Sequence, residues 1–183
     1  NDQQMKSVIE TISRPEASKL MVQDSYEIIG VLPIGAAYLF LNNREINSVE
    51  KLKGRKIAVL AHDLVQLRMA NRLGFQALAA DIDDFAAKFN KAEADIIAAP
   101  ALAYMPLELF NGVGNKGLVL NMPIAHLSLQ TVAHFHKFSA DFGQKSRSYF
   151  AGMFDSLQKP ITKAEEEIVY FFPAPDGEYD DYQ

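Results

Sequence analysis

Residues 51–63, KLKGRKIAVLAHD, contain the strand-to-helix junction that decides the fold. Ser48–Leu52 is predicted to form a short helical turn that ends at Gly54, because glycine is common just after a helix. The apolar run Lys56–Leu60 predicts a strand. From Asp63 the pattern changes to that of a helix. Its apolar residues recur at four-residue steps: Val65, Met69 and Leu73.

The same alternation of strand and helix continues to residue 110. A second amphipathic helix ends near Asn90, and its apolar residues are Ile82, Phe85, Ala86 and Phe89. Asp95–Ala99 is a short apolar strand, and a helix follows over Ala101–Phe110 with Pro100 at its first position. With the extended segment Phe75–Ala80 between the first two helices, three successive strand–helix pairs predict an α/β fold with a small parallel sheet, right-handed crossovers and helices on both faces.

Extended and helical segments also lie outside this region. Tyr26–Leu32 and Ala37–Leu41 are predicted strands, interrupted at Pro33–Gly35. Further strands are predicted over Leu118–Leu120 and Ser128–Phe135. An apolar helix stripe consists of Tyr149, Phe150, Met153, Phe154 and Leu157. The acidic, turn-rich tail FFPAPDGEYDDYQ is expected to be loosely attached.

Composition excludes several classes of function. The chain has 183 residues, 49% hydrophobic and 22% charged, with a net charge of −5, which is typical of a folded domain. We expect no nucleic-acid partner, because that needs Lys and Arg gathered along one face. The absence of cysteine excludes disulfides, thiolate metal sites and cysteine nucleophiles. No stretch reaches the roughly 18 apolar residues that span a bilayer. The N-terminal NDQQMKSVIE lacks signal-peptide order, so a signal is expected to be absent or outside this chain.

Four motifs that could indicate chemistry are better explained by structure. GVGNKG, residues 112–117, has the spacing of a dinucleotide fingerprint, but it follows a helix and precedes a strand, the reverse of the required order. His134 and His136 share a strand face with polar neighbours, and the third ligand of a metal site is missing. Asp83 and Asp84 favour the start of a helix, because their negative charge interacts well with the positive end of the helix dipole. Glu165–Glu167 is predicted to form a solvated face of a helix. We therefore expect no catalytic residue, no metal and no cofactor.

Asp63 is the more informative acidic residue. With Gln66 three positions later it forms a capping-box pattern, which alone explains its presence. The alternative is that Ala61–Asp63 also contacts a ligand, because ligands settle where parallel strands end and helix N-termini offer free N–H groups. Two such corners occur, at Leu60–Leu64 and Ala99–Tyr104, and both are expected to open on one crevice.

The motifs in this region resemble those of a known family. SVEKLKGRKIAV resembles the lobe-entry motif of TRAP-type (DctP-like) periplasmic solute-binding proteins. The similarity covers about residues 26–157, in order, through further segments: AYLFLNNREI, RLGFQAL, ADIIAAPALAY and LVLNMPIAHLSLQTVAHFHKF. The resemblance implies a type II periplasmic-binding-protein fold, in which two α/β lobes close on a solute about a hinge.

Two departures from the family pattern bear on the ligand. The family's arginine that pairs with a substrate carboxylate corresponds to Ala58 here. A second family segment that contains an aromatic residue and an arginine corresponds to Ala36–Tyr38, which has no arginine. A divergent, solute-binding branch of the family fits better than a typical member. Members are also about twice the length needed for one lobe, so the chain resembles one complete lobe with parts of the other.

The resemblance implies a domain division and a set of binding residues. Residues 1–33 are expected to be a partial first lobe and hinge entry, 34–126 a complete α/β lobe, and 127–183 the return crossing, C-terminal helices and tail. The predicted ligand-lining residues are Gly35, Tyr38, His62, Asp63, Pro100, Tyr104 and Asn121. The tyrosines can stack or donate O–H groups, His62 and Asp63 can form hydrogen bonds, and Asn121 lies near a hinge.

Three functions are compatible with this fold. The first is a periplasmic solute-binding protein that delivers a small polar or anionic solute to membrane transporter subunits. The second is the cytoplasmic effector-binding domain of a transcription regulator, since fold alone does not determine function. An enzyme is the third, and we do not expect it, because no positioned nucleophile or acid–base pair is visible.

Overall fold

The computed structural model describes residues 2–171, which divide into two compact units. The first unit consists of Asn1–Gly35 and His126–Lys163, and the second of Ala36–Ala125 and Ala164–Gln183. The predicted loose tail, apart from its first residue, lies outside the described residues.

Helices and strands alternate through most of the described chain. The α-helices are α1 (Asp2–Ile12), α2 (Val49–Leu52), α3 (Leu64–Arg72), α4 (Phe85–Asn90), α5 (Leu109–Val113), α6 (Phe142–Gly152) and α7 (Phe154–Phe171). The strands are β1 (Val22–Gln23), β2 (Tyr26–Leu41), β3 (Lys56–Leu60), β4 (Gln76–Ala80), β5 (Ile96–Pro100), β6 (Leu118–Val119) and β7 (Ala125–His134). Short 3₁₀ turns cover Pro15–Met21, Ala101–Ala103 and Phe135–Lys137. Within residues 2–171, no helix has both the length and the apolar composition to cross a membrane.

A mixed sheet forms the centre of the second unit. β3 pairs in parallel with β4 on one side and with β5 on the other, which confirms the predicted parallel sheet. β5 then pairs antiparallel with the C-terminal half of β2, and β6 pairs antiparallel with the end of β2. The α/β fold class predicted from sequence is therefore confirmed.

Helices cover both faces of this sheet. Side chains alternate along a strand, so successive residues enter different cores. One core contains Phe40, Ala58 and Ile97 with residues of α4, α5 and α7. The other contains Leu41 and Val59 with residues of α2 and α3. Apolar side chains on two faces hold the sheet between helical layers, as an α/β unit requires.

The first unit combines the N-terminal half of β2 with β1 and β7, and with α1, α6 and the start of α7. Its buried apolar cluster is formed by Ile9, Val31 and Phe154. Phe150 of α6 lies so close to Gly30 that a Cβ there would be 2.2 Å from its ring. Glycine at this position lets the helix approach the strand.

The predicted interruption at Pro33–Gly35 is wrong, because β2 is one continuous strand of 16 residues. Proline adopts extended backbone readily, and Gly35 takes a φ of +90°, which glycine tolerates. Turn-forming residues therefore occur here without ending the strand.

The predicted helix over Ala101–Phe110 is also wrong. Pro100 is the last residue of β5, a 3₁₀ turn follows, and α5 begins only at Leu109. Pro106 cannot donate a backbone hydrogen bond, and Glu108 has a left-handed φ of +52°, so a continuous helix is not possible here.

One predicted apolar stripe does not face the core as expected, and another is divided between two helices. Val65 of α3 and Leu73 just after it are 77% and 56% exposed, whereas Ala70 is buried and Leu67 packs beside it. The helix has nine residues, and the pair Leu67 and Ala70 is enough to cover the sheet there. The stripe predicted over residues 149–157 is divided between α6 and α7, which meet near Met153.

Candidate functional site

Three parallel strands of the second unit end at the same sheet edge. Leu60 of β3 is paired with Ala80 of β4, and Ala58 is paired with Ile97 of β5. β2 enters the unit at this edge, because Ala37 is paired with Pro100. The two corners predicted from sequence therefore face one edge, where strand C-termini in α/β sheets commonly bind ligands.

Asp63 and Gln66 fix the corner after β3. The Asp63 carboxylate accepts a hydrogen bond of 2.8 Å from the Gln66 backbone N–H, which confirms the predicted N-cap. The Gln66 side chain accepts a hydrogen bond of 3.3 Å from the Leu60 N–H, so it reaches the strand and not the cap residue. Asp63 is half-buried, and His62 beside it is exposed.

Tyr104 dominates the corner after β5. Its ring is half-buried, stacks on Phe40 with 6.0 Å between centroids, and meets Phe110 edge-on at 6.1 Å. Burial raises the pKa of the Tyr104 hydroxyl. Two aromatic neighbours hold this ring in one orientation, as a wall of a binding pocket requires.

A pocket of about 240 Å³ opens beside Tyr104, between the 3₁₀ turn after β5 and the second-unit part of α7. We call it the Tyr104 pocket. Its lining is mainly apolar and includes one carboxylate, and the lining residues are Ala101, Leu102, Tyr104, Met105, Ala164, Glu167 and Ile168. Pro100 begins the turn that forms one of its walls.

The remaining predicted site residues are more scattered. Tyr38 pairs with Ala99 but is only 6% exposed and packs in the core. Asn121 is half-buried and follows β6 in the chain. Three residues later, the Ile124 N–H donates a hydrogen bond of 2.9 Å to Ala37 O. Gly35 belongs to the first unit. The structure thus brings the corners at His62–Asp63 and Pro100–Tyr104 to one sheet edge, with Tyr38 beneath it.

Sequence reasoning missed the contribution of α7. Glu165 is half-buried, and its Oε1 accepts a hydrogen bond of 2.8 Å from the Ala36 N–H. The prediction of a solvated face is therefore wrong for Glu165. Because 129 positions separate these two residues, no local pattern could reveal the contact.

A second and wider depression lies at the opposite edge of the sheet. Its volume is about 940 Å³, and it is lined by residues of the NNRE turn and of the GVGNKG loop. The Arg44 guanidinium donates to the carbonyls of Asn115 and Gly117, each at 3.3 Å. A Cβ on Gly117 would lie 2.1 Å from Leu41 O. These contacts agree with the interpretation of GVGNKG as a structural loop.

The two histidines considered as metal ligands lie at the end of β7 and in the following turn. The rings of His134 and His136 are 5.5 Å apart, and His134 also contacts the ring of Tyr26 at 4.3 Å. In the part of the chain that the structure describes, no group of three or more ligand-type residues could hold a metal ion.

Comparison with known proteins gives consistent results. All of residues 1–183 match the family model described as Solute-binding protein AdeT 1/2. The protein named probable solute-binding protein AdeT1, from Acinetobacter baumannii, is 39% identical over 173 residues, which is 93% of this chain and 57% of that protein. The chain therefore spans little more than half the length of this relative.

Solved structures show the same fold at low sequence identity. A TRAP periplasmic solute-binding protein from Desulfovibrio salexigens, with bound orotic acid, has a TM-score of 0.73 at 10% identity, covering 92% of this chain and 54% of its own. A TRAP periplasmic solute-binding protein from Pseudomonas putida F1, with bound D-glucuronate, has a TM-score of 0.73 at 14% identity. The match covers 100% of this chain and 61% of that one. The predicted TRAP-like fold is confirmed.

Proposed function

This chain belongs to the AdeT 1/2 family of solute-binding proteins, and from that premise we propose that it captures a small solute outside the cytoplasm for a membrane transporter. The observation that carries this proposal is the common edge of β2, β3, β4 and β5, with the Tyr104 pocket beside it. Open α/β sheets bind ligands at such edges.

The proposed ligand-contacting residues lie at the two corners. His62 is exposed and can form a hydrogen bond with a solute, while Asp63 and Gln66 keep the corner in place. Pro100 and Tyr104 form the opposite wall, and Asn121 and Gly35 stay predictions. We propose that Tyr38 supports this site from within the core, because its side chain is buried.

We propose that the second unit acts as one lobe of a two-lobed binding protein, and that the protein binds without catalysis. The family description and the TRAP-like fold support the transport function over the effector domain of a transcription regulator. Transporter subunits in the membrane are the proposed partners, and the periplasm the proposed compartment.

A thermal-shift screen of small metabolites tests the proposal. A ligand that binds only the folded state at about a hundred times its Kd adds about 2.7 kcal/mol, which raises Tm by about 5–10 °C for a chain of this size. The variant Tyr104→Leu should reduce that shift, whereas Tyr149→Leu, at a position 67% exposed in the first unit, should leave it unchanged. A screen without any shift, or a shift that Tyr104→Leu does not reduce, would contradict the proposal.

A further inference from the structure

The outward face of α3 is apolar, although its inward face already covers the sheet. Val65, Met69 and Leu73 follow one another at four-residue steps and are 77%, 49% and 56% exposed. Leu67 and Ala70 supply the core contacts of this helix. The three exposed side chains form a row about 12 Å long, since a helix rises about 1.5 Å per residue, and we call this row the α3 ridge. Contiguous apolar surface that a fold does not bury indicates a binding partner.

Positive charge surrounds the α3 ridge. Residues 49–76, from α2 to the start of β4, contain six of the 18 Lys and Arg residues of the chain and two of its 23 Asp and Glu residues. The net charge of this segment is therefore +4, in a chain of net charge −5. All six cationic side chains are exposed: Lys51, Lys53, Arg55, Lys56, Arg68 and Arg72. Such a charge asymmetry turns this side of the second unit toward an anionic surface.

The cations lie beside the ridge and are available to a partner. Arg68 and Arg72 each come three positions after an apolar residue of the ridge, so they occupy the neighbouring line of the same helix. Lys53 lies at the end of the helix, because a Cβ on Gly74 would be 3.5 Å from its side chain. Within residues 2–171, none of the six cations forms an ion pair with a carboxylate.

Nearby carboxylates do not cancel this charge. Asp63 caps the first turn of α3, where it accepts a hydrogen bond from the Gln66 N–H at 2.8 Å. Asp95 lies outside the segment but accepts a hydrogen bond from the Lys56 N–H at 3.0 Å, so it belongs to the same surroundings. Glu50 is exposed on α2. With all three counted, six cations face three carboxylates, and the excess stays positive.

A lipid surface suits the α3 ridge better than a second protein. A stable protein interface buries about 800 Å² on each partner, which is more than three side chains along one convex helix provide. Interfacial helices, in contrast, bury a row of apolar side chains at the boundary of headgroups and acyl chains, and adjacent Lys and Arg residues bind anionic lipid. The long stems of these cations also let them reach the headgroups.

We infer that the α3 ridge, together with Arg68 and Arg72, docks the second unit on a bilayer that contains anionic phospholipid. The apolar side chains enter the headgroup layer, and the guanidinium groups donate hydrogen bonds to lipid phosphates. This surface is separate from the proposed solute contacts at the two strand-to-helix corners, so docking requires no bound solute.

Cosedimentation with protein-free vesicles tests this docking on the 183-residue chain without added solute. Vesicles of phosphatidylcholine and phosphatidylglycerol, at a ratio of about 3:1, should bind the chain at least about tenfold more tightly at low salt than phosphatidylcholine alone, because several cations act together. Salt at about 0.5 M should remove most of this preference by screening.

Two double variants separate charge from apolar contact. Arg68→Gln/Arg72→Gln should weaken binding to the anionic vesicles about tenfold. Its control, Lys19→Gln/Lys137→Gln, removes two exposed cations of the first unit and should bind like the parent chain. Circular dichroism checks that both variants are folded.

Val65→Gln/Met69→Gln should also weaken binding about tenfold, because it removes the apolar contact while glutamine preserves the helix. Its control, Leu20→Gln/Tyr149→Gln, changes residues of the first unit that are 80% and 67% exposed, and should have no effect. Circular dichroism again checks the fold.

Equal binding to neutral and anionic vesicles would overturn the inference, and so would equal weakening by the arginine and lysine double variants, which would show attraction to net charge alone. Unchanged binding of Val65→Gln/Met69→Gln would also overturn it. A chain whose Tm rises with a solute but that does not bind vesicles would refute this surface and leave the proposed function intact. Vesicle binding with the expected variant effects, in a chain that no solute stabilises, would support the surface and contradict the proposed function.

Discussion

At the scale of single residues, Arg147 connects three segments of the first unit from a buried position. Its side chain is 1% exposed, and one guanidinium nitrogen donates to the Glu27 carboxylate at 2.5 Å and to Ile28 O at 2.9 Å. The other donates to Ser18 and Gln144, each at 3.1 Å. These bonds join α6 to β2 and to the N-terminal 3₁₀ turn, so one side chain organises three segments.

Replacing Arg147 should destabilise the chain strongly. Arg147→Met leaves the Glu27 carboxylate without its cation, and breaking a buried pair in this way costs about 3–5 kcal/mol. Arg147→Lys keeps the charge but cannot form both sets of bonds, so its loss of stability should be smaller than that of Arg147→Met.

Lys145→Met is the control: Lys145 lies two positions away, is 76% exposed and pairs with Asp141. Its effect should stay within about 0.5 kcal/mol. Urea unfolding measures all three, and an Arg147→Met loss below about 1 kcal/mol would refute the assignment.

At the scale of elements, the N-cap of α3 connects stability to the candidate site. Asp63→Ala removes the bond to the Gln66 N–H and should cost about 1 kcal/mol, whereas Asp63→Ser should restore most of it because serine also caps helices. Asp83→Ala removes the same charge at an exposed position of the same sheet edge and serves as the control. Thermal unfolding measures the differences. If Asp63→Ala and Asp83→Ala had equal effects, charge and not capping would explain Asp63.

Elements with strong local signals were predictable, and those that depend on distant contacts were not. The strand Lys56–Leu60 and the Asp63 cap follow from spacing and capping chemistry, and the structure confirms both. The length of β2 could not be predicted from the sequence, because Pro33 and Gly35 are typical turn residues. In the structure they are extended within a strand that pairs with distant strands. In the candidate site, sequence identified the corners at Asp63 and Tyr104. It missed Glu167, since α7 reaches the pocket only through tertiary packing.

At the scale of the whole molecule, the two units differ in how much apolar surface they bury. The large clusters around Phe40 and Leu41 lie in the second unit, whereas the cluster of the first unit is formed by Ile9, Val31 and Phe154, with Ile29 and Ile161 also buried. β7 pairs with β2 alone among the described strands, and none of its ten residues is buried. Few buried contacts lower the free energy of local opening, so the first unit should open more easily.

Native-state hydrogen exchange should therefore separate the units. Amides of α1 and β7 should have protection factors at least about tenfold lower than amides of β3 and β5, because small cores open at lower free energy. Arg147→Met should speed exchange further in α1, α6 and β7 and leave β3 and β5 unchanged, since its bonds lie within the first unit. Lys145→Met should alter neither group. Equal protection throughout, or faster exchange of β3 in Arg147→Met, would instead mean that residues 2–171 open as one cooperative body.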